Sequence, residues 1–152
     1  MNMARLQAHV RVAGFLGRAL SFELSAVQQY MTHAALCEAW HLNEESRHWH
    51  EEAAGEMKHA ERIVQRMLAV GVAPNASQLL AVRVGHSLTE LITHNVRLEQ
   101  DIVSLYRDAA IACLRGGDAD NAAFFRQLLE EEEEHARELQ AWYESSTGWS
   151  ST

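Results

Sequence analysis

Apolar residues recur along this chain in alternating steps of four and three, the spacing that keeps them on one side of an α-helix. Leu6, Val10, Ala13, Gly17, Leu20, Leu24, Val27, Met31 and Ala34 form such a seam and predict a first helix over about 4–39. The short connection Leu42-Asn43-Glu44 follows, with Asn43 the expected N-cap. A second seam through Trp49, Ala53, Glu56, Ala60, Ile63 and Met67 predicts a helix over about 44–70, which Gly71 and then Pro74 bring to a stop. Residues 71–86 show no sustained helical period and read as a long connection. Ser87 with Glu90 three residues on is a capping box that opens a third helix, running to about Leu114 before Gly116-Gly117 breaks it. The fourth begins near Asp118 or Asp120 and runs to about Glu144, through Phe124, Leu128, Glu132, His135, Leu139 and Trp142. Short, long and short connections between four helices make an all-α fold: two hairpins joined by a crossover between helices two and three. The domain spans 1–144, and 145–152 form a short polar tail expected to fray.

Composition narrows the function classes. At 152 residues the chain is one domain by length, and its single proline leaves long stretches free of helix breakers. A net charge of −8 repels phosphate backbones, which argues against a nucleic-acid partner. No apolar run reaches the length of a membrane span, and the N-terminal residues, with Arg5, His9 and Arg11, continue the first helix rather than form a signal peptide. Cys37 and Cys113 have neither scaffold nor metal spacing. They read as small core residues of a cytoplasmic protein.

The chemistry lies in two Glu-x-x-His motifs, Glu56–His59 and Glu132–His135, each inside a helical pattern. Glu23 and Glu99 each stand 33 residues ahead of one of them, so the intervals from Glu23 to Glu99, Glu56 to Glu132 and His59 to His135 are all 76. Residues three apart share a helix face, and four helices of this kind project four carboxylates and two imidazoles towards one another. Four buried glutamates are prohibitively costly alone, whereas two divalent ions would neutralise them. Carboxylates with neutral imidazoles suit iron, manganese or zinc. By symmetry Glu23 and His59 hold one metal, Glu99 and His135 the other, with Glu56 and Glu132 bridging. The bland alternative, a solvated acidic face, suits Glu130, Glu131, Glu133 and Glu134 but does not generate three equal intervals. The remaining histidines, His33 included, read as structural or surface residues.

The string Glu23-Leu24-Ser25-Ala26-Val27-Gln28-Gln29-Tyr30-Met31-Thr32-His33-Ala34 resembles the first-helix signature of bacterioferritins. Glu56-Met57-Lys58-His59-Ala60-Glu61-Arg62, Arg97-Leu98-Glu99 and Leu128 through His135 are similar to their motifs on the other three helices, and the likeness covers about 5–142. It implies a ferritin-like bundle with a di-iron ferroxidase centre on Glu23, Glu56, His59, Glu99, Glu132 and His135, and Tyr30 beside it. Met57 lies about 100° round the helix from Glu56, pointing away from the metals, and by spacing alone would be core or interface filler. The resemblance instead makes it an axial ligand of a haem b shared by two subunits; thioether ligation favours reduced iron. It further implies a homodimer, a cage of up to 24 subunits and a small ferredoxin as electron donor. Bacterioferritins close that cage with a short fifth helix. Ser145–Thr152 has poor helical propensity, so that helix is expected to be truncated or missing. Storage would then call for other contacts or co-assembly with a longer paralogue.

The first reading is therefore a ferroxidase that oxidises ferrous iron for storage or detoxification. A second is a dimeric haem and di-metal protein serving electron transfer or oxidative stress without storing iron. A third is a di-iron oxygenase or peroxidase, which needs an apolar substrate cavity beside the metals.

Overall fold

The computed structural model describes residues 2–74 and 78–147. Four helices account for most of them: α1 (Met3–Ala39), α2 (Asn43–Ala69), α3 (Leu88–Arg115) and α4 (Ala119–Ser146). The helix ends fall within two residues of the spacing-based expectation, and α4 continues two residues past Glu144. Of the segment expected to lack a fifth helix, Gly148–Thr152 lies outside the described residues.

Local chemistry explains the turns. Gly71 and Gly117 adopt φ of 77° and 71° just after α2 and α3, the left-handed conformation that lets the chain reverse without a Cβ clash. After α1 the same position is His41, at φ 62°. The two bonds Leu42 N–H to Cys37 O (2.8 Å) and His41 N–H to Glu38 O (3.0 Å) hold it there. Asn43 is not the cap expected: it is the first helical residue of α2, and Leu42 precedes it with no capping side chain. The box at α3 is half formed. Ser87 Oγ accepts from Glu90 N–H (3.2 Å), but the Glu90 carboxylate accepts from His86 N–H (2.6 Å) instead of Ser87.

α1 packs on α2, α3 on α4, and α1 on α3. Side-chain pairs give the directions. Tyr30 meets Glu99 and Glu23 meets Tyr106, so α1 and α3 run antiparallel. The end of α2 and the start of α3 therefore lie at opposite ends of the bundle. The 27 residues of α2 rise about 40 Å, and the linker must return that distance, as an extended strap rather than a tight turn.

α1 holds the strap by three side chains four residues apart. Ser25 Oγ accepts from Leu80 N–H (2.9 Å), Gln29 Oε1 from Arg83 N–H (3.1 Å), and His33 Nε2–H donates to Arg83 O (2.6 Å). Asn95 of α3 closes a ring, accepting from Gln29 Nε2 (2.7 Å) and donating to His33 Nδ1 (2.8 Å). Four bonds thus run from the Arg83 backbone through three buried side chains and back. They assign His33 as the neutral Nε2–H tautomer, in keeping with burial lowering its pKa. His33 is structural, and fully buried.

Two aromatic clusters bracket the middle of the bundle. Tyr30 stacks on Trp49 (5.4 Å between centroids, 13° between planes), and Trp49 packs on Trp142 (5.0 Å). Towards the other end Phe15, Tyr106 and Phe125 meet edge-on or tilted. Between the clusters lie the buried acids.

Candidate metal centre

All six spaced residues converge. Glu23, Glu56, Glu99 and Glu132 are at most 2% exposed, so four carboxyl groups from four helices have left water. Two overlapping groups form, Glu23–Glu56–His59–Glu132 and Glu56–Glu99–Glu132–His135, each with one donor atom per residue within 4.8 Å of the others. Glu56 and Glu132 belong to both groups, the bridging positions that the spacing implies.

Both imidazoles turn the same nitrogen inward. His59 Nδ1 lies 2.7 Å from Glu132 Oε1 and 3.2 Å from Glu56 Oε2. His135 Nδ1 lies 3.2 Å from Glu56 Oε1 and 3.3 Å from Glu99 Oε1. The outward nitrogens each meet a carboxylate that the spacing did not single out. His59 Nε2 faces Glu131 Oε2 at 3.5 Å, itself tied to Arg62 at 2.5 Å, and His135 Nε2 contacts Glu52. A carboxylate beside Nε2 would keep a proton on that nitrogen once metal displaced the one on Nδ1, the arrangement a metal-binding histidine needs.

Tyr30 donates its hydroxyl hydrogen to Glu99, as its place beside the centre requires. A matching tyrosine was overlooked. Tyr106 donates to Glu23, and the interval from Tyr30 to Tyr106 is again 76. The repeat extends to the rings that back them, Trp49 against Tyr30 and Phe125 against Tyr106. Of the acidic run, Glu130, Glu131 and Glu134 are exposed and Glu133 half-buried, while Glu132 is fully buried.

The electrostatics are those of a cation site holding protons. Burial, with the like charge of Glu56, pushes the Glu23 carboxyl well above its ordinary range. Burial and Glu132 push Glu99 up to about 8. Burial also opposes charge on Glu132, but hydrogen bonds from His135 and His59 outweigh it and hold that carboxyl low. Desolvation works against charging His59 too, yet its carboxylate partners push it up to about 12, and His135 moves the same way. Glu52 is pushed up to about 7, chiefly by burial. Even so, one oxygen on each of Glu23, Glu99 and Glu132 is buried with no hydrogen-bond partner among the described residues. Such orphaned oxygens are costly, and hard oxygen donors with imidazole fit divalent iron, manganese or zinc.

Met57 is placed elsewhere. It is 41% exposed and lines an open groove of about 510 Å³ between α1 and α2, with Leu20, Leu24, Ala60 and Val64 as apolar walls. Among the described residues no helix is long and apolar enough to cross a membrane.

Comparison with known proteins agrees with this fold. The ferritin-like domain family matches residues 14–146. The bacterioferritin of Mycolicibacterium paratuberculosis is 30% identical over 139 residues, covering 91% of this chain and 87% of that protein. That of Rhodobacter capsulatus is 34% identical over 130 residues, covering 86% and 81%. A crystal structure of the R. capsulatus protein, with a metal-free dinuclear site and its haem iron in a crystallographic special position, superposes at a TM-score of 0.83, covering 87% of this chain and 82% of that one. Matched in sequence and in fold over nearly its whole length, this chain belongs to the bacterioferritins of the ferritin-like family.

Proposed function

We propose that the chain is a ferroxidase of an iron-storing bacterioferritin, taking ferrous iron as substrate at Glu23, Glu56, His59, Glu99, Glu132 and His135. The observation that carries this reading is the sharing of Glu56 and Glu132 by two ligand groups. Two such positions let a pair of ferrous ions give two electrons to oxygen or peroxide before ferric product moves on to storage. The chain's own residues do the rest. Four glutamates balance two divalent charges, so the loaded core is neutral. Metal uptake displaces the protons that the carboxyls and imidazoles otherwise share. Tyr30 and Tyr106 hold one oxygen of Glu99 and Glu23, leaving the other for metal, and the ring stack behind Tyr30 keeps bulk water out. Stopped-flow oxidation of about two ferrous ions per chain tests it. Glu56→Ala or Glu132→Ala abolishes the fast phase, whereas Glu23→Ala or Glu99→Ala impairs mainly one position. A wild-type fast phase in Glu56→Ala refutes the assignment.

The groove at Met57 supports a haem b. Met57, whose thioether rises from apolar walls, would hold the group together with Met57 of a second copy of the chain, and the bound haem would supply one-electron transfer. The working unit is then a cytoplasmic homo-oligomer built from dimers, with haem available to pass electrons from a ferredoxin-type donor to stored iron. Protein made with ample haem should hold about one haem per two chains, with a low-spin spectrum. Met57→Leu should lose that spectrum while keeping the fast oxidation phase; unchanged haem in Met57→Leu refutes the site.

A further inference from the structure

Away from the acidic core, a cavity of about 550 Å³ opens beneath the crossover strap, bounded by α1, the strap and α3. That is the volume of a small-molecule site. Its lining departs from the character of the chain. On a protein of net charge −8 the cavity wall carries Arg83 from the strap and Arg97 from α3 against a single carboxylate, Asp101. Arg83 and Arg97 are in no ion pair among the described residues, as is true of most arginines of the chain, but these two line one cavity together. Leaving two guanidiniums unpaired on an acidic surface, facing one cavity, points to a ligand that supplies the negative charge.

The scaffold holds the first of them firmly. Both backbone polar groups of Arg83 are locked in the hydrogen-bond ring with Gln29, Asn95 and His33, so its Cα is fixed while its side chain is free. Arg97 and Asp101 lie one turn apart on the same face of a regular helix, with His94 on the turn before. Between them the floor carries Ser25 and Gln29, both at most 5% exposed. The Gln29 amide gives only one of its two hydrogens to Asn95. His94 Nδ1 is buried with no partner among the described residues, so a ring nitrogen beside the cavity has lost its water and gained nothing.

We propose that this cavity binds a phosphate group, held between the Arg83 and Arg97 guanidiniums, as part of a small phosphomonoester. Guanidinium forks match phosphate oxygens bidentately. Asp101 and the second amide hydrogen of Gln29 would serve the hydroxyl-bearing remainder of the ligand, which a bare phosphate lacks. The site is separate from the acidic core and does not depend on iron chemistry.

Isothermal titration of the full chain at low salt, with inorganic phosphate in one arm and glycerol 3-phosphate in the other, tests it. The double variant R83Q/R97Q runs alongside, so that any phosphate drawn to bound metal is common to both proteins and cancels. Its melting curve reports whether the fold is kept, which is expected because neither side chain supports the ring. Saturable binding should weaken at least tenfold in the variant and fall with added salt. Tighter binding of the ester assigns a phosphorylated metabolite, and equal binding of both assigns free phosphate; either supports the oxyanion site. No binding of either below about 10 mM, or equal binding by wild type and variant, overturns it.

Discussion

Asn95→Leu cuts the ring that fastens the crossover strap at two places. The substitution keeps the branched outline of the side chain but leaves Gln29 Nε2 without its 2.7 Å acceptor and His33 Nδ1 without its 2.8 Å donor. Both side chains are at most 5% exposed, so water does not replace what is lost. An unsatisfied buried polar group costs about 1–3 kcal/mol, which puts the substitution at about 2–6 kcal/mol, a large part of the roughly 5–15 kcal/mol that holds a domain folded. Asn95→Asp is the informative companion. A carboxylate still accepts from Gln29 but has no hydrogen for His33 Nδ1, so the ring closes again only if His33 takes a second proton. The new carboxylate favours the His33 imidazolium, so the cost should shrink as pH falls from above neutrality to about 6.5, while that of Asn95→Leu does not. Equilibrium urea unfolding followed by helical circular dichroism, at one protein concentration and with chelator present, measures both. A loss below about 1 kcal/mol for Asn95→Leu, or a pH-independent cost for Asn95→Asp, refutes the closed ring.

Other predictions concern the acidic core. Tyr106→Phe keeps the ring packing and removes the hydrogen bond to Glu23, so the metal-free protein should lose about 1–3 kcal/mol, as should Tyr30→Phe through Glu99; denaturation midpoints unchanged in both would refute the paired roles. Metal-free protein should also lose stability as pH rises from about 5 to 8. Glu99 and Glu52 keep their protons to about 8 and about 7 where the unfolded chain releases them near 4.5, and His59 keeps its own to about 12 against 6.5, so over this range the folded state binds more protons. Glu132, held low, is ionised in both states there; His33, lowered by burial, acts in the opposite sense only below 6.5. Divalent metal displaces those protons and should cancel the trend. A melting temperature of chelated protein that rises between pH 5.5 and 7.5 would contradict this account.

Helix positions were legible because each seam is long and its stops are glycines, and the six core residues because one interval repeats three times. Tyr106 was just as legible, since it stands the same interval from Tyr30, but a lone tyrosine carries no chemistry until its partner acid is known. Glu52 and Glu131 were not. They reach across to histidines on the opposite helix, and which acids of a charged face do so depends on how α2 and α4 are set against each other. The strap was legible only as an absence of period. Its anchors Ser25, Gln29 and His33 lie four apart on α1, a signal that becomes readable once the crossover is known to pass over that face. Asn43 misled because a residue suited to capping lies next to a turn that needs no cap: the left-handed His41 and its two backbone bonds already close the end of α1.

The inner residues of the core obey a two-fold plan, but the carboxylates behind the histidines break it. The residue 76 positions after Glu52 is Leu128, and the one 76 before Glu131 is Gly55. Arg62 cancels the charge of Glu131, whereas no arginine pairs with Glu52 among the described residues. Two ions arriving at this bundle therefore meet unequal berths. Apart from His135, Glu52 has only His48 beside it among the described residues, at 3.5 Å, and it gives up its proton above about 7. On the proposed reading it would draw the first cation to the berth between Glu99 and His135 and leave the Glu23 and His59 side to the second. A duplicated architecture would thereby acquire a sense of order, and a half-loaded molecule would be a single species rather than an even mixture of two.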